Sequence, residues 1–131
     1  MFRATLQVRT RQREELVEVT HEVRALVRES GLRDGIVLLY VPHTTAAVTI
    51  NENADPDVAH DMIAWLRKLV PQDPSFRHAE GNSDGHIKST LVGVSEQVPL
   101  VGGELLLGRW QGIYFCEFDG PRVRSLEIVV R

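Results

Sequence analysis

The chain has a single cysteine, Cys116. That excludes an intramolecular disulfide framework and any zinc module built from several cysteines. It has no apolar run near the ~20 residues that a membrane-spanning helix needs, and residues 1–12 are basic without a signal-type apolar stretch. Positive charge is not in excess either: 15 Lys+Arg stand against 18 Asp+Glu, a formal net charge of −3. A dedicated nucleic-acid binder carries a net-basic face, so no nucleic-acid partner is expected, and no membrane partner. No repeat, linker or low-complexity segment divides the 131 residues, a length that suits one domain over 1–131. What the chain does have is a 43% hydrophobic fraction, enough to build a core, and five histidines. A soluble, cytoplasmic globular domain is the expectation.

Hydrophobic spacing sets out the elements. Residues 2–9 alternate, with Phe2, Ala4, Leu6 and Val8 on one side, which predicts a half-exposed strand. In residues 14–30 the apolar positions Leu16, Val19, Val23 and Leu26/Val27 recur every three or four residues, which predicts one amphipathic helix of about four turns stopped at Gly31. The continuous apolar run 35–42 suits a central strand covered on both faces, and 46–50 is a further short strand. Asp55-Pro56 opens a second helix that Pro71 ends. Residues 71–86 form a long polar loop, of the kind that is often functional. Residues 87–94 suit a short helix leading into a strand, and turns at Gly102-Gly103 and Asp119-Gly120-Pro121 punctuate a hairpin-rich C-terminal half. The expected class is α+β, with a mixed, mostly antiparallel sheet and helices packed on one face.

Candidate chemistry gathers in three places. His43 follows the buried-looking strand at the sheet rim, where it serves either as a site residue or as a cap for loop carbonyls. His78 and His86 bracket Glu80 and Asp84 within nine residues, a donor set for Zn²⁺ or a similar divalent ion, or simply a solvated loop. Lys88, Ser89 and Thr90 follow near a helix start and suit phosphate oxygens. Asn51 lies in a second polar cluster. Asp61, beside His60 on the second helix, either orients a site or faces solvent. Trp110 is read as a core indole beside a hairpin or as a stacking surface for a flat ring. His21 points to solvent, and Cys116 is an inert core thiol.

The blocks HTTAAVTINENADPDVAHDM from His43, HAEGNSDGHIKSTLVG from His78 and GRWQGIYFCEFDG from Gly108 resemble the signature blocks of the YjbQ family, also called the secondary thiamine-phosphate synthase family. The resemblance spans the whole chain; residues 82–85 (NSDG) stand where other members carry more carboxylates. It implies a small α+β subunit assembled as a homotrimer, with sites near the subunit interfaces. It implies a thiamine-phosphate synthase activity in which an aminopyrimidine diphosphate joins a thiazole phosphate with loss of pyrophosphate. It also implies a histidine-lined pocket holding a metal ion or anion, with His43, Thr44, Asn51, His78, Glu80, His86, Lys88 and Ser89 falling on the family blocks.

Such a reaction needs charge neutralisation at the leaving diphosphate, a flat surface for the pyrimidine and reactants held together. The expected arrangement brings His43, His78 and His86 onto a divalent metal (Zn²⁺ or Mg²⁺) or a phosphate. Glu80 or Asp61 supports them, Thr44, Asn51, Lys88 and Ser89 contact phosphate, and Trp110 stacks on the ring. The alternatives are a metal-dependent hydrolase of a small phosphorylated metabolite and a non-catalytic metabolite-binding protein.

Overall fold

The computed structural model describes residues 1–131 and contains eight strands and three helices. In chain order they are β1 (Phe2–Arg9), β2 (Glu15–Glu18), α1 (Thr20–Glu29), β3 (Gly35–Tyr40), β4 (Ala46–Glu52), α2 (Pro56–Leu69), α3 (Ser83–Val92), β5 (Ser95–Val101), β6 (Glu104–Leu105), β7 (Gln111–Glu117) and β8 (Val123–Val130). The α+β class holds. The sheet is refined in two ways: there are two sheets, ordered β1-β8-β3-β5-β6 and β2-β7-β4, and every pairing is antiparallel.

Side-chain alternation explains how the two sheets stack. Ile113 and Phe115 of β7 and Ala46 and Val48 of β4 face the main core, where they meet Val37, Leu39, Val98, Leu126 and Ile128 of the larger sheet. Val19, Val23 and Val27, on and beside α1, join the same cluster. The intervening residues Ala47 and Cys116 point the other way, to a smaller cluster that receives Ile63 and Leu66 of α2 and Val92 of α3. Thus α2 and α3 cover the outer face of the small sheet. The outer face of the large sheet carries Ile36 and Tyr40, both exposed, so β3 is not covered on both faces as its apolar run suggested.

Two more boundaries differ from the sequence reading. The helix expected over 14–30 divides, because Leu16 and Val17 pair with Cys116 and Phe115 on β7 and the helix starts only at Thr20. Pairing of this stretch along the edge of the small sheet outweighs its helical spacing. The loop after α2 is shorter than expected, because α3 already begins at Ser83. Gly85 permits this: a Cβ there would lie 2.9 Å from the Phe118 carbonyl oxygen, so only glycine lets the helix start sit so close to the end of β7. The strand 123–130 is central in the larger sheet, between β1 and β3. The caps are as expected: Asp55 accepts from the Asp57 amide at 2.9 Å with Pro56 in the first turn, and Gly31 (φ +69°) follows the end of α1.

Candidate functional site: a histidine cleft beside buried ion pairs

His43 lies in the short connection from β3 to β4, a segment tied down on both sides. The Val41 amide donates to the Val94 carbonyl, and the Thr45 carbonyl accepts from the Phe118 amide. His86 lies in the first turns of α3. Together His43 and His86 line an open cleft of about 430 Å³ with Thr44, Ser89, Thr90 and Gly93. The His78 ring meets the His86 ring edge-on, with centroids 5.5 Å apart. His86 is therefore the common neighbour of the expected trio: it packs on His78 and shares a cleft with His43.

The polar partners decide what each residue can do. The backbone amide of Ser125 donates to His43 Nε2 at 2.9 Å. Burial, and then the nearby Arg124 charge, hold the His43 imidazole below the usual histidine range. The Ser89 hydroxyl donates to the Ala46 carbonyl at 2.6 Å and the Thr90 hydroxyl to the His86 carbonyl at 3.0 Å, so these two are engaged within the fold. Thr44 is exposed at the mouth, with its hydroxyl free of protein partners.

Several expected assignments change. Lys88 is 1% exposed, with its ammonium donating to Glu14 at 2.5 Å and Asp84 at 3.2 Å, so it is an internal cation and not a phosphate ligand. Ser89 lines the cleft, but with its hydroxyl already committed. Asn51 is exposed on β4 outside the cleft, its side-chain oxygen accepting from the Glu52 amide. Asp61 is exposed, close to His60, and borders an apolar groove with Met62, Trp65 and Leu66. Glu80 is exposed, 3.9 Å from His78 Nε2. Trp110 is neither core nor cleft: it is 54% exposed, with the Arg109 guanidinium 4.9 Å above its ring. Cys116 is the expected inert thiol, its pKa pushed up by burial.

The metal expectation does not fit the residues this chain brings together. No group of three or more His, Cys, Asp or Glu side chains converges within the chain, and His43 Nε2 already accepts a hydrogen bond. A catalytic zinc takes three protein ligands, and the cleft lining supplies two side chains of a ligating type, His43 and His86.

Sequence reasoning missed two buried ionic groups around the cleft. Arg124 donates to both Glu117 carboxylate oxygens and, at 2.8 Å, to the Thr45 hydroxyl; Glu117 also accepts from the Thr10 hydroxyl at 2.8 Å. Arg124 is thereby bonded to the residue two places after His43, and it precedes Ser125. In the second group, Arg13 grips Asp84 through both terminal nitrogens and Arg67 donates to Glu14 at 3.0 Å, around the central Lys88. The signal was in the alternation of β8: period two places Arg124 on the face of Leu126, Ile128 and Val130, where a cation requires a buried carboxylate.

These carboxylates predict an acid transition. Burial raises the pKa values of Glu14, Asp84 and Glu117, but hydrogen bonds from Lys88 and Arg67, from Arg13 and Lys88, and from Arg124 and Thr10, respectively, outweigh it and hold all three below the usual range. Depressed folded-state values mean that the unfolded chain binds protons more tightly. The stabilisation is therefore complete above the ordinary values of 3.8 for Asp and 4.5 for Glu and is lost as pH falls below them. The thermal midpoint is expected to stay level down to about pH 5 and to drop steeply below pH ~4, as circular dichroism melts across pH will show.

With the geometry in place, comparison with known proteins is decisive about family. The family model described as UPF0047 protein YjbQ-like matches residues 4–131. The chain belongs to the YjbQ-like UPF0047 family. A UPF0047 protein of Methanocaldococcus jannaschii is 53% identical over 124 residues, covering 95% of this chain and 90% of that protein. The UPF0047 protein YugU of Bacillus subtilis is 51% identical, covering 95% of each. A crystal structure of a YjbQ/UPF0047 protein from Clostridium acetobutylicum superposes with a TM-score of 0.95 at 44% identity, covering 98% of this chain and 99% of that one. These names specify a family and not a reaction, so the chemistry has to come from the cleft.

Proposed function

We propose that this UPF0047 protein takes the phosphate group of a small phosphorylated metabolite into the His43–His86 cleft, and that it catalyses a thiamine-phosphate synthase-like transfer there. The observation that carries the phosphate reading is the pairing of His43 and His86 with the free Thr44 hydroxyl around one open cleft, so that two imidazoles and a hydroxyl face the same small volume. Such donors bind phosphate oxygens and stabilise a leaving diphosphate. The resemblance to the secondary thiamine-phosphate synthase family supplies the reaction. The thiazole nitrogen forms a bond to the pyrimidine methylene carbon, the bond from that carbon to the diphosphate oxygen breaks, and the electron pair leaves with pyrophosphate. The hydrolase reading depends on metal-bound water and finds no three-ligand set within a single chain to support it.

Incubation of the protein with hydroxymethylpyrimidine diphosphate and thiazole phosphate is expected to yield thiamine phosphate and pyrophosphate. His86→Ala is expected to lower kcat about 10²–10³-fold, the usual cost of removing a donor to a developing anion. Product formation that His86→Ala leaves unchanged rules the cleft out as the reaction site. Binding of both precursors without product identifies a metabolite-binding protein instead.

We also propose the homotrimer implied by the resemblance. Trp65 and Leu69 on α2 and Leu91 on α3 are all more than half exposed, and an apolar groove of about 560 Å³ runs between α2 and the small sheet. Exposed apolar surface of this extent favours association with a second copy. Light scattering is expected to give three times the 14.8 kDa chain mass, and Trp65→Glu with Leu91→Glu is expected to shift it to the monomer with the circular dichroism spectrum unchanged. A monomeric wild type overturns the trimer.

A further inference from the structure

We propose that His43 is held as the neutral imidazole protonated on Nδ1, and that it serves the cleft as a fixed hydrogen-bond donor to a phosphate oxygen, not as a base or a metal ligand. The inference rests on the phosphate reading for its ligand, but on backbone geometry for its tautomer.

A peptide N–H can only donate. The Ser125 amide 2.9 Å from His43 Nε2 therefore requires a lone pair on that nitrogen. In a neutral imidazole the proton must then sit on Nδ1. The amide is itself fixed by the sheet. β3 pairs with β8 from Val37 opposite Val130 to Tyr40 opposite Glu127, and then leaves the sheet at Pro42. Ser125, two residues before Glu127 on β8, is left with an amide beyond the end of that pairing, and the His43 ring occupies the place of the missing strand. The ring cannot turn over without abandoning this partially buried donor, which would go unsatisfied.

Nδ1 is the remaining ring nitrogen, and it has no partner within the protein. It is also accessible, because the one buried side-chain nitrogen or oxygen without a partner is Asn82 Oδ1. The surroundings keep the ring neutral. Burial, and then the charges of Arg124 on β8 and Arg122 before it, oppose a positive imidazole and outweigh the pull of Glu117 on β7, which is itself bonded to Arg124; His86 on α3 faces the ring across the cleft. A neutral Nδ1–H donor next to His86 and Thr44 selects ligands that present oxygen acceptors, which a phosphate or diphosphate ester does.

The test reads the tautomer directly. Long-range ¹H–¹⁵N correlation spectra of the ligand-free protein at pH 7.5 are expected to show His43 with a protonated Nδ1 and an unprotonated Nε2. The reverse pattern, or an equal mixture, overturns the proposal whatever the protein binds. Inorganic pyrophosphate is then added. The His43 Nδ1 resonance is expected to shift, His43→Ala is expected to weaken binding about tenfold to a hundredfold, and His43→Asn, which places an amide N–H near the Nδ1 position, is expected to recover most of that loss. His43→Asn as weak as His43→Ala overturns the donor role. Pyrophosphate that moves no resonance anywhere refutes the phosphate reading, and leaves the tautomer to be judged by the first spectrum.

Discussion

Arg124→Met is expected to cost about 5 kcal/mol of folding stability, the upper end for removing one partner of a buried ion pair. Glu117 is fully buried, and without Arg124 its carboxylate would keep only the Thr10 hydroxyl and the Asp119 amide. Thr45 would lose the guanidinium that holds it, so the damage reaches the connection that carries His43. The pair, and not the arginine alone, is what matters. The double variant Arg124→Met, Glu117→Met removes both charges together and is expected to recover most of the loss. Urea unfolding of the two singles and the double closes that cycle. A double variant as unstable as the sum of the singles would show that the two side chains act independently.

Lys88→Met comes second, at about 3 kcal/mol, the lower end of the same range, because Arg67 remains on Glu14 and Arg13 remains on Asp84 after the lysine is gone. Those two arginines are partly exposed, so water screens what they contribute. The variant separates two roles for one residue. As an internal cation, Lys88 fixes α3 to the Arg13–Glu14 segment and its loss lowers the urea midpoint with little change in slope. As a phosphate ligand, its loss would leave the midpoint alone and abolish pyrophosphate binding.

Lys88 also shows where sequence reading stops. Its neighbours in sequence are hydroxyl residues and a glycine, so composition pointed to phosphate. What determines its role is Glu14, 74 residues away, which no local pattern exposes. The sequence leaves Trp110 open between a core indole and a stacking surface of the site, and it is neither buried nor in the cleft: it is more than half exposed with a guanidinium on its face. Features governed by local geometry were legible: the Asp55-Pro56 helix start, the Gly102-Gly103 turn with both glycines at positive φ, and the alternation of β1. The split of 14–30 was not, because its strand half is created by pairing with β7, almost a hundred residues on. At the site, sequence placed His43 at a strand end and His86 near a helix start. Only the folded chain brings them to one cleft and gives His43 its Ser125 partner.

Calorimetric and NMR titration with inorganic pyrophosphate tests the central claim most directly, that the His43–His86 cleft is the phosphate site. The expected result is saturable binding with shifts concentrated at His43, Thr44, His86 and Gly93, weakened about tenfold or more by His86→Ala in a protein that melts like the wild type. Shifts centred on Asn51 or Trp110, with the cleft resonances unmoved and His86→Ala binding as tightly as the wild type, would contradict it.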